Sequence, residues 1–123
     1  MSVKERIINE LKIRRDNYII HQVQHARIPD FPEDNIKRYK VLFKGRVQKV
    51  GLRLQVQKLA ERLEITGYCE NLENGDVVAE LQGQENRIRF LLSYMVHLKR
   101  IKMTDKKAKH IPVKTGETGF EKR

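Results

Sequence analysis

Cysteine occurs once in this chain, at Cys69. A single thiol excludes an intrachain disulfide and a cysteine-based zinc cluster. Lying between Tyr68 and Glu70 in a strand-like run, it reads as a buried, inert side chain rather than a nucleophile. Long apolar runs are also missing. Nothing approaches the roughly 20 apolar residues that a membrane-spanning helix needs. Val3 to Arg15 is interrupted by Lys4, Glu5, Arg6, Asn9, Glu10, Lys12, Arg14 and Arg15, so it lacks the apolar core of a secretory signal. We therefore expect a cytoplasmic protein that makes no membrane contact. No Ser-His-Asp grouping has a recognisable context. His21 and His25 stand four apart, but His97 and His110 lie far along the chain, so no metal site is expected.

Basic charge, by contrast, is plentiful. Twenty-six Lys and Arg against 16 Asp and Glu leave a net charge of +10. Most of the excess falls after Tyr39. Such a field favours anionic partners, whether small phosphates, nucleic acid or a membrane surface, without choosing among them. Lys99, Arg100, Lys102, Lys106, Lys107 and Lys109 form a cluster broken by Asp105. It could give salt-sensitive binding to a phosphate-rich partner, and we read it instead as a solvated loop-and-strand surface.

The 123 residues, 39% of them apolar, suffice for one domain with an appendage. Residues 1–35 read as a helical extension and linker, and 36–123 as the main domain. Ser2 to Glu5 is a capping-box pattern. Val3, Ile7, Ile8 and Leu11 then recur near helical spacing, predicting a helix from Val3 to Tyr18 or Ile20. Ile7, Ile8 and Leu11 are expected to pack on the domain or on a second subunit, the latter giving a homodimer. Ile28-Pro29-Asp30-Phe31-Pro32 cannot continue a helix and reads as a linker that packs Ile28 and Phe31 on the body.

The main domain alternates. Tyr39, Val41 and Phe43 share one face of a first strand. Leu52, Val56, Leu59, Ala60 and Leu63 stripe a helix, and Gly67 to Leu72 is a second strand. Asn74-Gly75 marks a hairpin turn, and Val77, Ala79 and Leu81 share a face of the third strand. Ile88, Leu91, Leu92, Met95 and Leu98 line a second helix from Gln84, with a last strand placed near Thr115 to Lys122. The order β-α-β-β-α-β predicts an α+β, ferredoxin-like sandwich: a four-stranded antiparallel sheet with two helices on one face. Period 2 puts Asn71 on the same face as Cys69, and if that face looks toward the helices, Asn71 approaches the start of the first one.

Gly45-Arg46-Val47-Gln48-Lys49-Val50-Gly51-Leu52-Arg53 links the first strand to that helix. A glycine-bounded loop at a helix start can aim backbone N–H groups at an anion that the helix dipole also favours. Leu52 to Ala60 contains Arg53 and Lys58 and no acid before Glu61, the reverse of the usual charge order at a helix start. This run resembles the first signature of the acylphosphatases, usually Gly-Arg-Val-Gln-Gly-Val-Gly-Phe-Arg. Gly67-Tyr68-Cys69-Glu70-Asn71, followed by Asn74-Gly75, resembles their second. The resemblance spans about Arg38 to Arg123 and implies hydrolysis of the carboxyl–phosphate bond of acyl phosphates without metal or other cofactor. It further implies that Arg53 grips phosphate, that Asn71 positions the attacking water, and that Gly45, Arg46, Val47, Gln48, Lys49, Val50 and Gly51 form the phosphate cradle, open also to inorganic phosphate or sulfate.

Lys49 stands where the family has glycine. It carries backbone strain of about 1–2 kcal/mol if the position needs φ > 0. The alternative reading is therefore an acylphosphatase-like module that binds phosphate with weakened catalysis. A basic nucleic-acid-binding domain is a third reading. RNA-binding modules of this fold carry exposed aromatics on their central strands, and Val77 to Gln82 has none, which counts against it.

Overall fold

A computed structural model describes all 123 residues. Helix α1 (Val3–His25) leads into strand β1 (Ile36–Arg46), helix α2 (Leu52–Arg62), strands β2 (Thr66–Asn71) and β3 (Val77–Gln84), helix α3 (Glu85–Val96), and strands β4 (Lys102–Ile111) and β5 (Phe120–Lys122). The sheet order is β4-β1-β3-β2-β5. Its first four members pair antiparallel in the ferredoxin-like arrangement. Val41 and Phe43 of β1, Cys69 of β2, and Ala79 and Leu81 of β3 all lie fully buried in one core with Val56, Leu59, Leu91 and Met95 of the covering helices.

The sheet has five strands rather than four. β5 adds beside β2, parallel to it, with Cys69 opposite Lys122. The predicted last strand at Thr115 to Lys122 is thus shortened to this edge, and the true fourth strand runs through the basic cluster. β4 was hidden because it is an edge strand, solvated along most of its length. Its lysines suit an edge that must not recruit another chain, but they erase the alternation that marks a strand. The Asn74-Gly75 signal does mark the β2–β3 connection. Gly75 has φ 95°, in a loop longer than a two-residue turn, where Asn74 Oδ1 accepts from Asp76 N at 3.0 Å.

α1 departs further from expectation. It continues past Ile20 to His25, and Ser2 Oγ accepts from Glu5 N at 3.1 Å at its start. Ile7, Ile8 and Leu11 do not pack on the domain, being 53%, 54% and 58% exposed. Ile19 and Val23, also four apart, are buried in their place. Arg62 explains the choice, since its Nη1 donates to Val23 O at 2.6 Å and Ala26 O at 2.7 Å. α2 thus caps the last carbonyls of α1. Ile28 and Phe31 pack on the body as expected, with Phe31 edge-on to Phe90 at 5.6 Å.

Between β4 and β5 the chain is strapped across the helix-free side of the sheet by Arg38, which has no exposed surface. Its guanidinium donates to Glu80 (3.0 Å), Gln82 (3.0 Å) and both oxygens of Glu117 (2.8 and 3.1 Å). Burial alone would raise the pKa values of Glu80 and Glu117. The hydrogen bonds they accept from Tyr68, Thr66 and Arg38 outweigh it and hold both below the usual carboxylate range. Carboxylates lowered in the folded state stabilise it above their unfolded pKa, near 4.3 for Glu, and the contribution disappears as pH falls through the folded values. Arg38→Met is expected to cost about 2 kcal/mol at pH 7. This is less than a fully buried pair would cost, because Glu80 and Glu117 keep some contact with water. The gap from wild type should narrow toward pH 3. Urea unfolding at both pH values measures it.

Candidate active site

β1 leaves the sheet through an irregularity between Lys44 and Gly45. Gly45 has φ 112°, and a Cβ there would lie 2.3 Å from Lys102 O and 2.6 Å from Thr104 N. Close approach of β4 therefore requires this glycine. Gly51 caps α2 in the left-handed region at φ 81°, and a Cβ would meet Ile19 Cδ1 at 2.3 Å. It is needed both for the turn and for docking α1. Lys49 also takes positive φ, 61°, the strain its sequence position raised.

Other parts of the fold hold the loop by its carbonyls and by one amide side chain. Arg100 Nε donates to Val50 O at 2.8 Å, and Arg15 Nη1 to Lys49 O at 3.2 Å. Gln48 Nε2 donates to Leu72 O at 2.6 Å and Asp76 O at 2.9 Å, bracing the β2–β3 connection. Val47 N and Gln55 N are also satisfied, by Gly45 O and Gly51 O. None of the backbone N–H groups from Gln48 through Leu54 donates to any carbonyl or side chain. A run of unpaired donors running into a helix start is what an anion site requires.

One small cavity, about 40 Å³, opens on this loop. Val47, Lys49, Gly51 and Arg53 line it together with Asn71 from the end of β2. The two side chains singled out from the sequence thus share one cavity. Gly45, Arg46, Gln48 and Val50 do not line it. Arg46 is exposed at the end of β1, and the other three shape or brace the loop. Arg53 Nη1 donates to Arg123 O at 2.5 Å, a partner delivered by β5 and by Arg123 N, which donates to Cys69 O at 2.9 Å. Asn71 Oδ1 is buried with no hydrogen-bond partner, an uncommon state for a polar atom and one that asks for a ligand or water.

The cavity is strongly cationic. Lys12 and Arg15 of α1 and Lys122 of β5 join Lys49 and Arg53, against a single acid, Asp16. No local pattern marks Lys12, Arg15 or Lys122 for this cavity, because α1 and β5 reach the loop only through tertiary docking. Cys69 is fully buried beneath. Burial pushes its thiol up to about 12, with Arg53 pulling it the other way, so it carries no thiolate at neutral pH. Lys49→Gly is expected to stabilise the fold by about 1 kcal/mol, the relieved strain exceeding the added entropy of the unfolded chain. Urea unfolding of the variant checks this.

Comparison with known proteins fits this geometry. The acylphosphatase family model matches residues 39–122. An acylphosphatase of Clostridium beijerinckii is 40% identical over 87 residues, covering 68% of this chain and 93% of that protein. The structure of an acylphosphatase from Coxiella burnetii superposes with a TM-score of 0.67 at 29% identity, over 72% of this chain and 94% of that one. The crystal structure of the acylphosphatase from Bacillus subtilis gives 0.66 at 26%, over 72% and 99%.

Proposed function

The chain belongs to the acylphosphatase family and hydrolyses the carboxyl–phosphate bond of acyl phosphates; from that premise we propose that Arg53 binds the phosphoryl group and Asn71 orients the attacking water. The observation that carries this assignment is the buried, unpaired Asn71 Oδ1 in the cavity that Arg53 lines. Arg53 exchanges its bond to Arg123 O for two phosphoryl oxygens, which its planar fork fits. The free N–H groups from Gln48 to Leu54 take the remaining oxygens and stabilise charge in the transition state. Asn71 Oδ1 accepts a hydrogen bond from one water and fixes it in line with the leaving group. Water oxygen bonds to phosphorus, and the bond from phosphorus to the acyl oxygen breaks with its electron pair going to the carboxylate. A phosphoryl oxygen takes the water's proton. Inorganic phosphate or sulfate occupies the same cradle.

The chain supplies every group in this scheme. Phosphate release from benzoyl phosphate should therefore persist in chelator and vary little between mildly acidic and mildly alkaline pH. Absence of release, or its abolition by chelator, would overturn the scheme. The second reading, a binding module with weakened catalysis, is not favoured by the comparisons, and Lys49 at φ 61° keeps the loop in the conformation a glycine would take. That reading requires phosphate binding without turnover, and activity gained in Lys49→Gly. The exposed Ile7, Ile8 and Leu11 support a homodimer through α1, which sedimentation of Leu11→Glu against wild type tests. No helix is long and apolar enough to cross a membrane, which is consistent with a cytoplasmic site of action.

A further inference from the structure

α1 lies outside the segment that the family model matches, yet it supplies part of the cavity wall. Lys12, Arg15 and Asp16 face the same 40 Å³ space as Lys49, Arg53 and Asn71. Their placement is fixed. Ile19, one turn beyond Arg15, is fully buried and fills the space left by the missing side chain of Gly51. Arg15 Nη1 reaches across to Lys49 O at 3.2 Å. α1 is thus a built wall of the site.

The charge of that wall exceeds what the scissile group needs. Asp16 is committed to Arg15, its Oδ1 accepting from Nε at 3.1 Å and Nη2 at 2.9 Å. Within the scheme proposed above, Arg53 and the N–H groups of the loop bind the transferred phosphoryl dianion. Lys12, Lys49 and Lys122 remain, three cations in one small cavity with no carboxylate left to pair them. All three are exposed beside the cavity, and cations gathered there draw in an anion that arrives with the substrate. We infer that Lys12 of α1, with Lys122 of β5, forms a second anion subsite, which selects acyl phosphates whose acyl group carries its own negative charge. The extension is then a specificity element, fitting dianionic or polyanionic acyl phosphates over neutral ones such as acetyl or benzoyl phosphate.

This inference rests on the phosphate site but not on turnover, so ligand binding tests it separately. The probes are 4-carboxybenzylphosphonate and its uncharged isostere 4-carbamoylbenzylphosphonate, which cannot be hydrolysed, titrated calorimetrically into the full chain at low salt. The carboxylate is expected to bind about tenfold more tightly, the scale of one charge-assisted hydrogen bond. Lys12→Gln and Lys122→Gln should each cut that ratio, and the double variant should bring it within about twofold of unity. Equal affinity of the two probes for wild type would overturn the subsite, and so would a ratio that survives in the double variant. Benzoyl phosphate turnover reports on the proposed catalytic roles alone, so either idea can fail without the other.

Discussion

Arg53→Ala is expected to lower kcat/KM for benzoyl phosphate by about 10³-fold or more. An arginine that binds a transferring phosphoryl group contributes in both ground and transition states, and removing such a group costs on the order of 10³–10⁵. KM should rise as kcat falls, and inhibition by inorganic phosphate should weaken in parallel. Arg53→Lys keeps a charge but loses the fork, so it should recover only a minor part. Stability should move differently. Arg53 is a cation in the first turn of α2, where the dipole disfavours it by about 0.3–1 kcal/mol, and what it gives back is one half-exposed bond to Arg123 O. The variant should therefore unfold at the same urea concentration as wild type or slightly above it. Loss of activity together with loss of fold would instead make Arg53 a structural residue that ties down the C-terminus.

Asn71→Ala should show a different kinetic signature. If its side chain only places water, kcat falls by about 10²–10³-fold while KM changes little, because the interaction is made in the transition state. Stability again separates function from structure. Asn71 Oδ1 bonds no protein group, so Asn71→Ala breaks no intramolecular hydrogen bond of that atom and should unfold within about 0.5–1 kcal/mol of wild type. A less active protein of nearly unchanged stability is the expected result. Full activity in Asn71→Ala would remove the water-positioning role.

Much of this site was legible in the sequence because local pattern encodes it. Gly45 to Arg53 is contiguous, sits between a strand and a helix with strong periodicity, and carries its charges in an order that a neighbouring anion favours. Asn71 came from the resemblance of Gly67 to Asn71 to the family's second signature, and alternation with Cys69 placed it near the helix start only on the condition that their face looks toward the helices. The illegible parts arise from contacts distant in sequence. Arg100 and Arg15 reach the loop across 50 and 34 positions, and no spacing rule links them. α1 offered two apolar sets, Ile7-Ile8-Leu11 and Ile19-Val23. The side chain of Arg62 meets the carbonyls beside the second set, and that decided which docks. β4 was concealed by its own edge lysines. No local pattern marks Arg38, beside Lys37, for burial, and it is the crossing of Glu117 over the sheet that buries it.

The most direct test follows ¹H–¹⁵N spectra of the protein during titration with inorganic phosphate. The account predicts saturable, concerted shifts of the backbone amides from Gln48 to Leu54, of the Arg53 Nε–H and of the Asn71 side-chain amide, all fitting one dissociation constant. Stationary signals in that set, with shifts confined to the lysines of β4, would contradict it.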